Sequence, residues 1–480
     1  MNRRMIINTV GKMICLEALA LILPTIVSLI YKEKCIIAFL ITILIAIVFG
    51  GFLSLISKNP TKNIYAKEGF LIVALSWIFA SLIGALPFII SKEIPNFFDA
   101  FFETVSGFTT TGASILPNVE ALSKGLLFWR SFTHYIGGIG VLVFVVALIP
   151  DISGKTIYIL RAEMPGPTFG KLSPKLKDTV KILCTIYFSL TTIQIVLLLI
   201  GDMPLFDSII NAFGTAGTGG FGIKASSIAD YSPYCQWIIA IFMMIFGINF
   251  NIFYLIIAKR IINIFKNGEL WLYLSIVATS VLVITINLLS VYNNFFDALR
   301  YSFFQTTSIL STTGYSTADF NTWPALSKGF LFILMFLGGC AGSTAGGIKI
   351  SRLLILLKQI KAELRYMLHP RSVNTIKLDG KPTDNAMLKG VSIYFALYCV
   401  SLAVIFLFIS FEPFGLETNI TAVISCFNNV GPGFGVVGPT GNYANYTSFS
   451  KLILSTAMLL GRLEIFPLLL AFSPATWKKR

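Results

Sequence analysis

Ten apolar runs, near 14–31, 35–57, 68–91, 123–150, 178–201, 234–258, 270–291, 325–360, 387–411 and 449–472, are each long enough to form a helix through a hydrocarbon core about 30 Å thick. Lipid offers the backbone no hydrogen-bond partners, so segments of this kind must satisfy their own N–H and C=O groups as helices. The sequence therefore predicts an all-α integral membrane protein. With 55% hydrophobic and 12% charged residues, a chain of 480 residues also has too little polar surface for a set of soluble domains.

Four further apolar runs, near 97–108, 204–215, 294–310 and 416–427, are too short to cross and read as re-entrant half-helices. Each leads into a short polar loop with a glycine. Phe102-Glu103-Thr104-Val105-Ser106-Gly107-Phe108-Thr109-Thr110-Thr111-Gly112 aligns without a gap on Phe304-Gln305-Thr306-Thr307-Ser308-Ile309-Leu310-Ser311-Thr312-Thr313-Gly314. Asn211 to Gly220 and Ser425 to Gly433 are weaker copies. The likeness continues past the loop, where Ala121 to Phe128 recurs as Ala325 to Phe332 and Phe449-Ser450-Lys451-Leu452 echoes both. The expected organisation is an N-terminal transmembrane pair (1–67) and four pseudo-symmetric repeats of helix, half-helix, loop and helix (68–177, 178–266, 267–386 and 387–480) around a central pore.

Charge sets the expected orientation. Segments 3–12, 58–67, 155–181, 259–266, 349–389 and 478–480 hold 27 of the 37 Lys and Arg residues, and all lie on one side if the N-terminus is cytoplasmic. Both termini are then inside and all four loops open from the outer face. The +15 net charge is spread between apolar runs, which argues for topology and contact with lipid headgroups rather than nucleic acid. Arg3, Arg4 and Lys12 precede an apolar run without a small-residue cleavage site, so a retained first helix is expected in place of a signal peptide. Seven cysteines without a Cys-x-x-Cys indicate neither a metal site nor a disulfide framework. His134 and His369, the two histidines, lie in different segments and make a poor metal pair.

A bare cation entering a membrane needs its hydration shell replaced, and a ring of backbone carbonyls does this without burying a fixed countercharge. Glycine lets four loops approach closely and turn their carbonyls to an axis. The half-helices point their C-terminal ends, each worth roughly half a negative charge, at the same place. No ring of carboxylates accompanies the glycines, which favours a monovalent over a divalent cation.

Ser-Gly-Phe-Thr-Thr-Thr-Gly-Ala (106–113), Leu-Ser-Thr-Thr-Gly-Tyr-Ser-Thr-Ala-Asp (310–319), Asn-Asn-Val-Gly-Pro-Gly (428–433) and Gly-Gly-Cys-Ala-Gly-Ser-Thr-Ala-Gly-Gly-Ile-Lys (338–349) resemble the Trk/Ktr/HKT superfamily of potassium transporters. The extra N-terminal pair makes the chain most similar to the bacterial TrkH branch. The resemblance implies potassium uptake across the bacterial inner membrane through a filter with one glycine per repeat, here Gly112, Gly219, Gly314 and Gly431. It places the K+-binding residues at Thr110 to Gly112, Gly217 to Gly219, Thr312 to Gly314 and Asn429 to Gly431. In the second loop Gly217-Thr218-Gly219-Gly220 offers two candidate glycines. Plant relatives that favour sodium carry serine where this chain has Gly112. The resemblance also implies a homodimer and a soluble, TrkA-like nucleotide-binding regulatory subunit. No Walker loop or dinucleotide fingerprint occurs in the chain, so no organic cofactor is expected on it. The basic segments 151–181 and 349–389 are the expected docking surfaces.

Five glycines between Gly338 and Gly347 interrupt the eighth run and cannot hold a regular helix against lipid. Gly338, Gly339, Gly342, Gly346 and Gly347, with Lys349, fit the movable intramembrane loop that the resemblance places under the filter; close small-residue helix packing is the other reading. Lys349 either tunes this gate or snorkels to the interface. Arg462, inside the last run, fits a charge beside the pore better than a pair with Glu464 two residues on. A less selective sodium/potassium pathway and a membrane-embedded enzyme are the alternatives, the latter disfavoured by sparse intramembrane acids. Symport with sodium or protons and channel-like flow both remain open at this level.

Overall fold

The computed structural model describes residues 3–57, 66–140, 176–371, 375–379 and 381–477. Six described helices are long and apolar enough to cross a membrane: Arg3–Ile30, Ile36–Ile56, Lys67–Ile90, Val180–Ile200, Gly268–Leu288 and Asn385–Ile409. The protein is a helical, multi-pass membrane protein. Large apolar side chains on Ile36–Ile56 stand open to the surroundings, among them Ile37, Leu44, Phe52 and Leu55, as a lipid-facing surface requires. On the inner side of this helix Gly50 meets Gly11 of the first helix so closely that a methyl on either would lie 2.7 Å from the other's carbonyl oxygen.

The four half-helices are Phe97–Phe108, Leu205–Gly217, Phe295–Leu310 and Leu416–Asn428. At 12 to 16 residues they span about 18–24 Å, short of a bilayer core. Their starts are encoded locally. Asn96 and Asn294 open the first and third, each side chain accepting from the N–H two residues on, and each is followed by Phe-Phe-Asp. An acidic residue, Asp99, Asp207, Asp297 or Glu417, sits in every first turn, where it complements the helix dipole.

These helices are arranged in a circle. The second packs on Lys124–Ile139, which follows the first, and the third on Pro233–Phe246, which follows the second. The first packs on Ser448–Arg462, which follows the fourth, so the ends of the chain's repeat region meet. The core is continuous around the first half-helix, with Phe102, Phe108, Trp129 and Phe427 all buried. The N-terminal pair leans on the outside of Ala66–Ile90.

Three expected spans differ from simple crossings. The sixth is two helices, Pro233–Phe246 and Phe250–Ile257, bent by 92° at Gly247-Ile248-Asn249. The tenth breaks after Arg462, where Glu464 and Ile465 take positive φ of 51° and 69° before Phe466–Phe472 begins. The eighth is interrupted as the glycines require, by 335–349 between Ala325–Leu334 and Ile350–Leu368. The last ten residues of the fourth run, and 151–175 of the first basic segment, lie outside the described residues. A short antiparallel hairpin, Lys377–Leu378 with Lys381–Pro382, lies between Ile350–Leu368 and Asn385–Ile409.

Candidate functional site

All four half-helices end alike. Thr110, Thr218, Thr312 and Asn429 take left-handed backbone with φ of 56°, 55°, 57° and 57°. The next residue's N–H then reaches the carbonyl five residues back: Thr111 to Ser106, Gly219 to Gly214, Thr313 to Ser308 and Val430 to Ser425, at 2.8–2.9 Å. This is the Schellman closure, which commonly puts glycine at the left-handed position. Here three β-branched threonines occupy it, at a cost of about 1–3 kcal/mol each. A glycine with positive φ comes two residues later in every loop: Gly112 (78°), Gly220 (78°), Gly314 (83°) and Gly431 (98°).

The register of the second loop therefore shifts by one from the sequence expectation. Gly220, not Gly219, is the counterpart of Gly112, Gly314 and Gly431, and Gly219 stands where the others have Thr111, Thr313 and Val430. Gly217 ends the half-helix, a step before the left-handed residue. The physical reason is His134, whose buried ring lies where a side chain on Gly219 would go and packs 4.2 Å from the Phe221 ring. We expect Gly219→Thr, which restores the pattern of the first and third loops, to destabilise the protein by roughly 1–3 kcal/mol through overpacking. Thermal unfolding of Gly219→Thr with and without His134→Ala measures this, the double variant recovering most of the loss.

The four loops touch in one sense around a closed circle. A methyl on Gly112 would strike the carbonyl oxygen of Gly219, one on Gly220 that of Thr313, one on Gly314 that of Val430, and one on Gly431 that of Thr111, the last at 2.6 Å. Backbone oxygens from Thr111, Gly219, Thr313 and Val430 thus lean on the glycine of the adjacent loop. One chamber, with about 730 Å³ of open space, is lined by Gly112, Gly220, Gly314 and Gly431 together. A second, with about 830 Å³, is lined by Gly138, Gly140, Gly342 to Gly347, Lys349 and Arg462, and shares no lining residue with the first.

Polar side chains tie the loops from behind. Glu103 and Arg130, both buried, pair at 2.5 Å. Glu103 also accepts from Ser114 Oγ and the Ile115 N–H, while Arg130 donates to the Gly222 carbonyl at 3.1 Å and covers the Phe221 ring. One ion pair thereby holds the exits of two adjacent loops. Tyr315 donates to the Phe221 carbonyl at 3.1 Å, joining the third loop to the second. The Tyr443 N–H donates to the Ser114 carbonyl and its hydroxyl to the Gly431 carbonyl, joining the fourth to the first.

Beneath the ring lies the glycine segment. The Gly346 N–H donates to Thr312 Oγ1 at 2.7 Å, and a methyl on Gly346 would sit 2.6 Å from the Asn428 carbonyl oxygen. Gly338 and Ile348 close the segment's neck with a 2.9 Å backbone bond. Glu269 accepts from the N–H groups of both Ala341 and Ser351, and Gly339 packs on the Gly247 carbonyl at the break of the sixth span. Gly342 and Gly347 have positive φ, so the path of the segment requires them. Lys349 is buried and donates to the Ala345 carbonyl; it does not reach an interface.

Arg462 ties the first loop to the glycine segment and to the end of Lys124–Ile139. Its guanidinium donates to Thr110 Oγ1 (3.2 Å), the Thr344 carbonyl (2.8 Å) and the Gly137 carbonyl (2.5 Å). Glu464 pairs instead with Arg352, which lies over the Tyr394 ring. Sequence reasoning missed Glu103, Arg130, His134, Glu269 and the Arg352–Glu464 pair. For Glu103 and Arg130 the signal was present, since each is a charge inside an apolar run.

The TrkH family model, described as a cation transport protein, matches residues 36–479. The chain belongs to the TrkH family. It is 36% identical over its whole length, and the whole of the relative, to the Trk system potassium uptake protein TrkH of Salmonella typhimurium. It is 34% identical, over 99% of both chains, to TrkG of Escherichia coli K12. The crystal structure of the potassium transporter TrkH from Vibrio parahaemolyticus superposes with a TM-score of 0.89 at 32% identity, covering all of both chains. A TrkH-family chain is a transport protein and not an enzyme, which removes the enzyme alternative.

Proposed function

We propose that this chain takes up potassium by passing the dehydrated ion through the ring of Thr111, Gly219, Thr313 and Val430 carbonyls. The observation that carries the proposal is the closed contact circle: four backbone oxygens are fixed by four glycines that tolerate no side chain. The relatives' names, potassium uptake proteins of the Trk system, support the choice of ion. Chambers on both sides of the ring supply a hydrated approach and exit. The glycine segment, lying against Asn428 and Thr312, blocks the exit and is the gate.

In this reading the termini and the basic segments face the cytoplasm. Lys361, Arg365 and Arg371 are exposed on and just beyond Ile350–Leu368, whose first residues adjoin the gate. A soluble nucleotide-binding regulator docking there pulls directly on the glycine segment, and the chain works as a homodimer in the inner membrane. Flux of potassium and of sodium into liposomes, with each gradient imposed separately, tests the function. Equal rates for the two ions would assign a less selective pathway.

Arg462→Ala removes the tie between Thr110, Thr344 and Gly137 together with a positive charge under the ring. Potassium flux is expected to rise several-fold while the protein stays inserted. Flux and thermal unfolding on one preparation check this: lost stability without changed flux would make Arg462 a structural brace.

A further inference from the structure

Glu17 lies in the first helix, outside the ring and its gate, and none of the contacts described so far uses it. It is 8% exposed, and neither carboxyl oxygen has a hydrogen-bond partner among the described residues. It faces a cavity with about 430 Å³ of open space lined by Val10, Met13, Ile14, Phe79, Phe108 and Ile136, with Ser76 as its other polar group. The Ser76 hydroxyl is likewise buried without a partner.

Among the described residues no opposite charge lines its cavity. On its own helix Arg3, Arg4, Lys12 and Cys15 do not line the cavity. The neighbouring helices Ile22–Ile30 and Ile36–Ile56 carry no charged residue, and Lys67 and Glu68 stand at the far start of Ala66–Ile90. From the first half-helix, Asp99 and Glu103 are paired with Lys451 and Arg130; from Lys124–Ile139, Lys124, Arg130, His134 and Tyr135 lie off the cavity. A carboxylate deprived of water, hydrogen bonds and a counter-ion is far costlier than the neutral acid.

We propose that Glu17 is a proton-binding site: the N-terminal pair stores one proton on this carboxyl, in a cavity that abuts the first filter half-helix. The link to the filter is short. The Cα face of Gly84 is shared by Glu17 Oε1, the Phe108 ring and the Thr104 methyl, all within 3.1 Å of where its methyl would stand. Phe108 is the last residue of the half-helix, two before Thr110. Whatever fills this cavity therefore presses on the first loop.

Dicyclohexylcarbodiimide, an apolar reagent, tests the site on the full chain in lipid nanodiscs at neutral pH. A protonated carboxyl adds across its C=N bond, oxygen bonding to carbon and the proton passing to nitrogen. Migration of the acyl group to nitrogen then gives a stable N-acylurea with no leaving group. We expect peptide mass mapping to find this adduct on Glu17, and no adduct there with a charged, water-soluble carbodiimide. The infrared band of a protonated carboxyl should disappear in Glu17→Gln. An unmodified Glu17 without that band overturns the proton site, and the labelling on the parent chain decides even if the variant does not fold. The flux arm rests on the proposed potassium function: the adduct should slow potassium flux several-fold in the parent and not in Glu17→Gln. An adduct that leaves flux unchanged, in a preparation that conducts potassium, overturns the link to the filter alone.

Discussion

Gly112→Ser is expected to lower the preference for potassium over sodium by about tenfold, the ratio that 1.4 kcal/mol of differential binding produces. Two terms act together. Gly112 has φ of 78°, where an L-residue costs about 1–2 kcal/mol, and its Cα face is closed by the Gly219 carbonyl oxygen. The serine can be accommodated only if that oxygen moves, so one quadrant of the ring loses its coordinating distance while the hydroxyl offers a different one. Since Gly219 also packs on His134, the displacement cannot be absorbed by retreat of the second loop. Paired potassium and sodium fluxes in liposomes measure the ratio. An unchanged ratio in a folded variant would remove the first loop from the filter.

Deleting Gly342 to Ala345 is expected to raise potassium flux in the absence of any soluble partner by about an order of magnitude, equivalent to about 1.4 kcal/mol against the closed arrangement. The deletion removes the Thr344 carbonyl that Arg462 holds and the Ala345 carbonyl that takes Lys349. It spares the anchor of Ala341 on Glu269 and the Gly338–Ile348 bond at the neck. The shortened segment is thus still fastened at its base but cannot lie under Asn428 and Thr312. If the purified variant is folded and its unregulated flux equals the parent's, the glycines serve packing and the gate is elsewhere.

What the sequence made legible follows from where the controlling interactions lie. The half-helices could be bounded within two residues because their caps and first-turn acids are local: Asn96 with Asp99, Asn294 with Asp297. The loop glycines could be found because the left-handed closure repeats at fixed spacing. The register of the second loop was not legible, since the group that decides it, His134, comes from another repeat and reaches Gly219 only in three dimensions. The breaks at Gly247-Ile248-Asn249 and Leu463-Glu464-Ile465 were hidden for a different reason. Both lie within continuous apolar runs, and their unwound backbone is satisfied by the glycine segment or by neighbouring turns: Cys340 N–H donates to the Gly247 carbonyl, and Ile465 N–H to that of Leu460. Hydropathy registers side chains, and these features are written in backbone partners. Glu103, which aligns with Gln305, is legible as an acid inside an apolar run, but nothing local points to Arg130, 27 residues later, as its mate.

Arg462 stands beneath the ring once. The positions that align with it after the first and third loops hold Tyr135 and Gly339. A ring built by four identical subunits could not make that choice: any residue introduced under the axis would appear four times, and four guanidiniums facing one another would repel both each other and an approaching cation. Writing the four quadrants into a single polypeptide removes that constraint. Each quadrant is free to diverge, so one supplies the charge, another the glycine segment and a third the histidine that fills the side-chain space of its neighbour's loop. The weak likeness among the four copies leaves room for that division of labour.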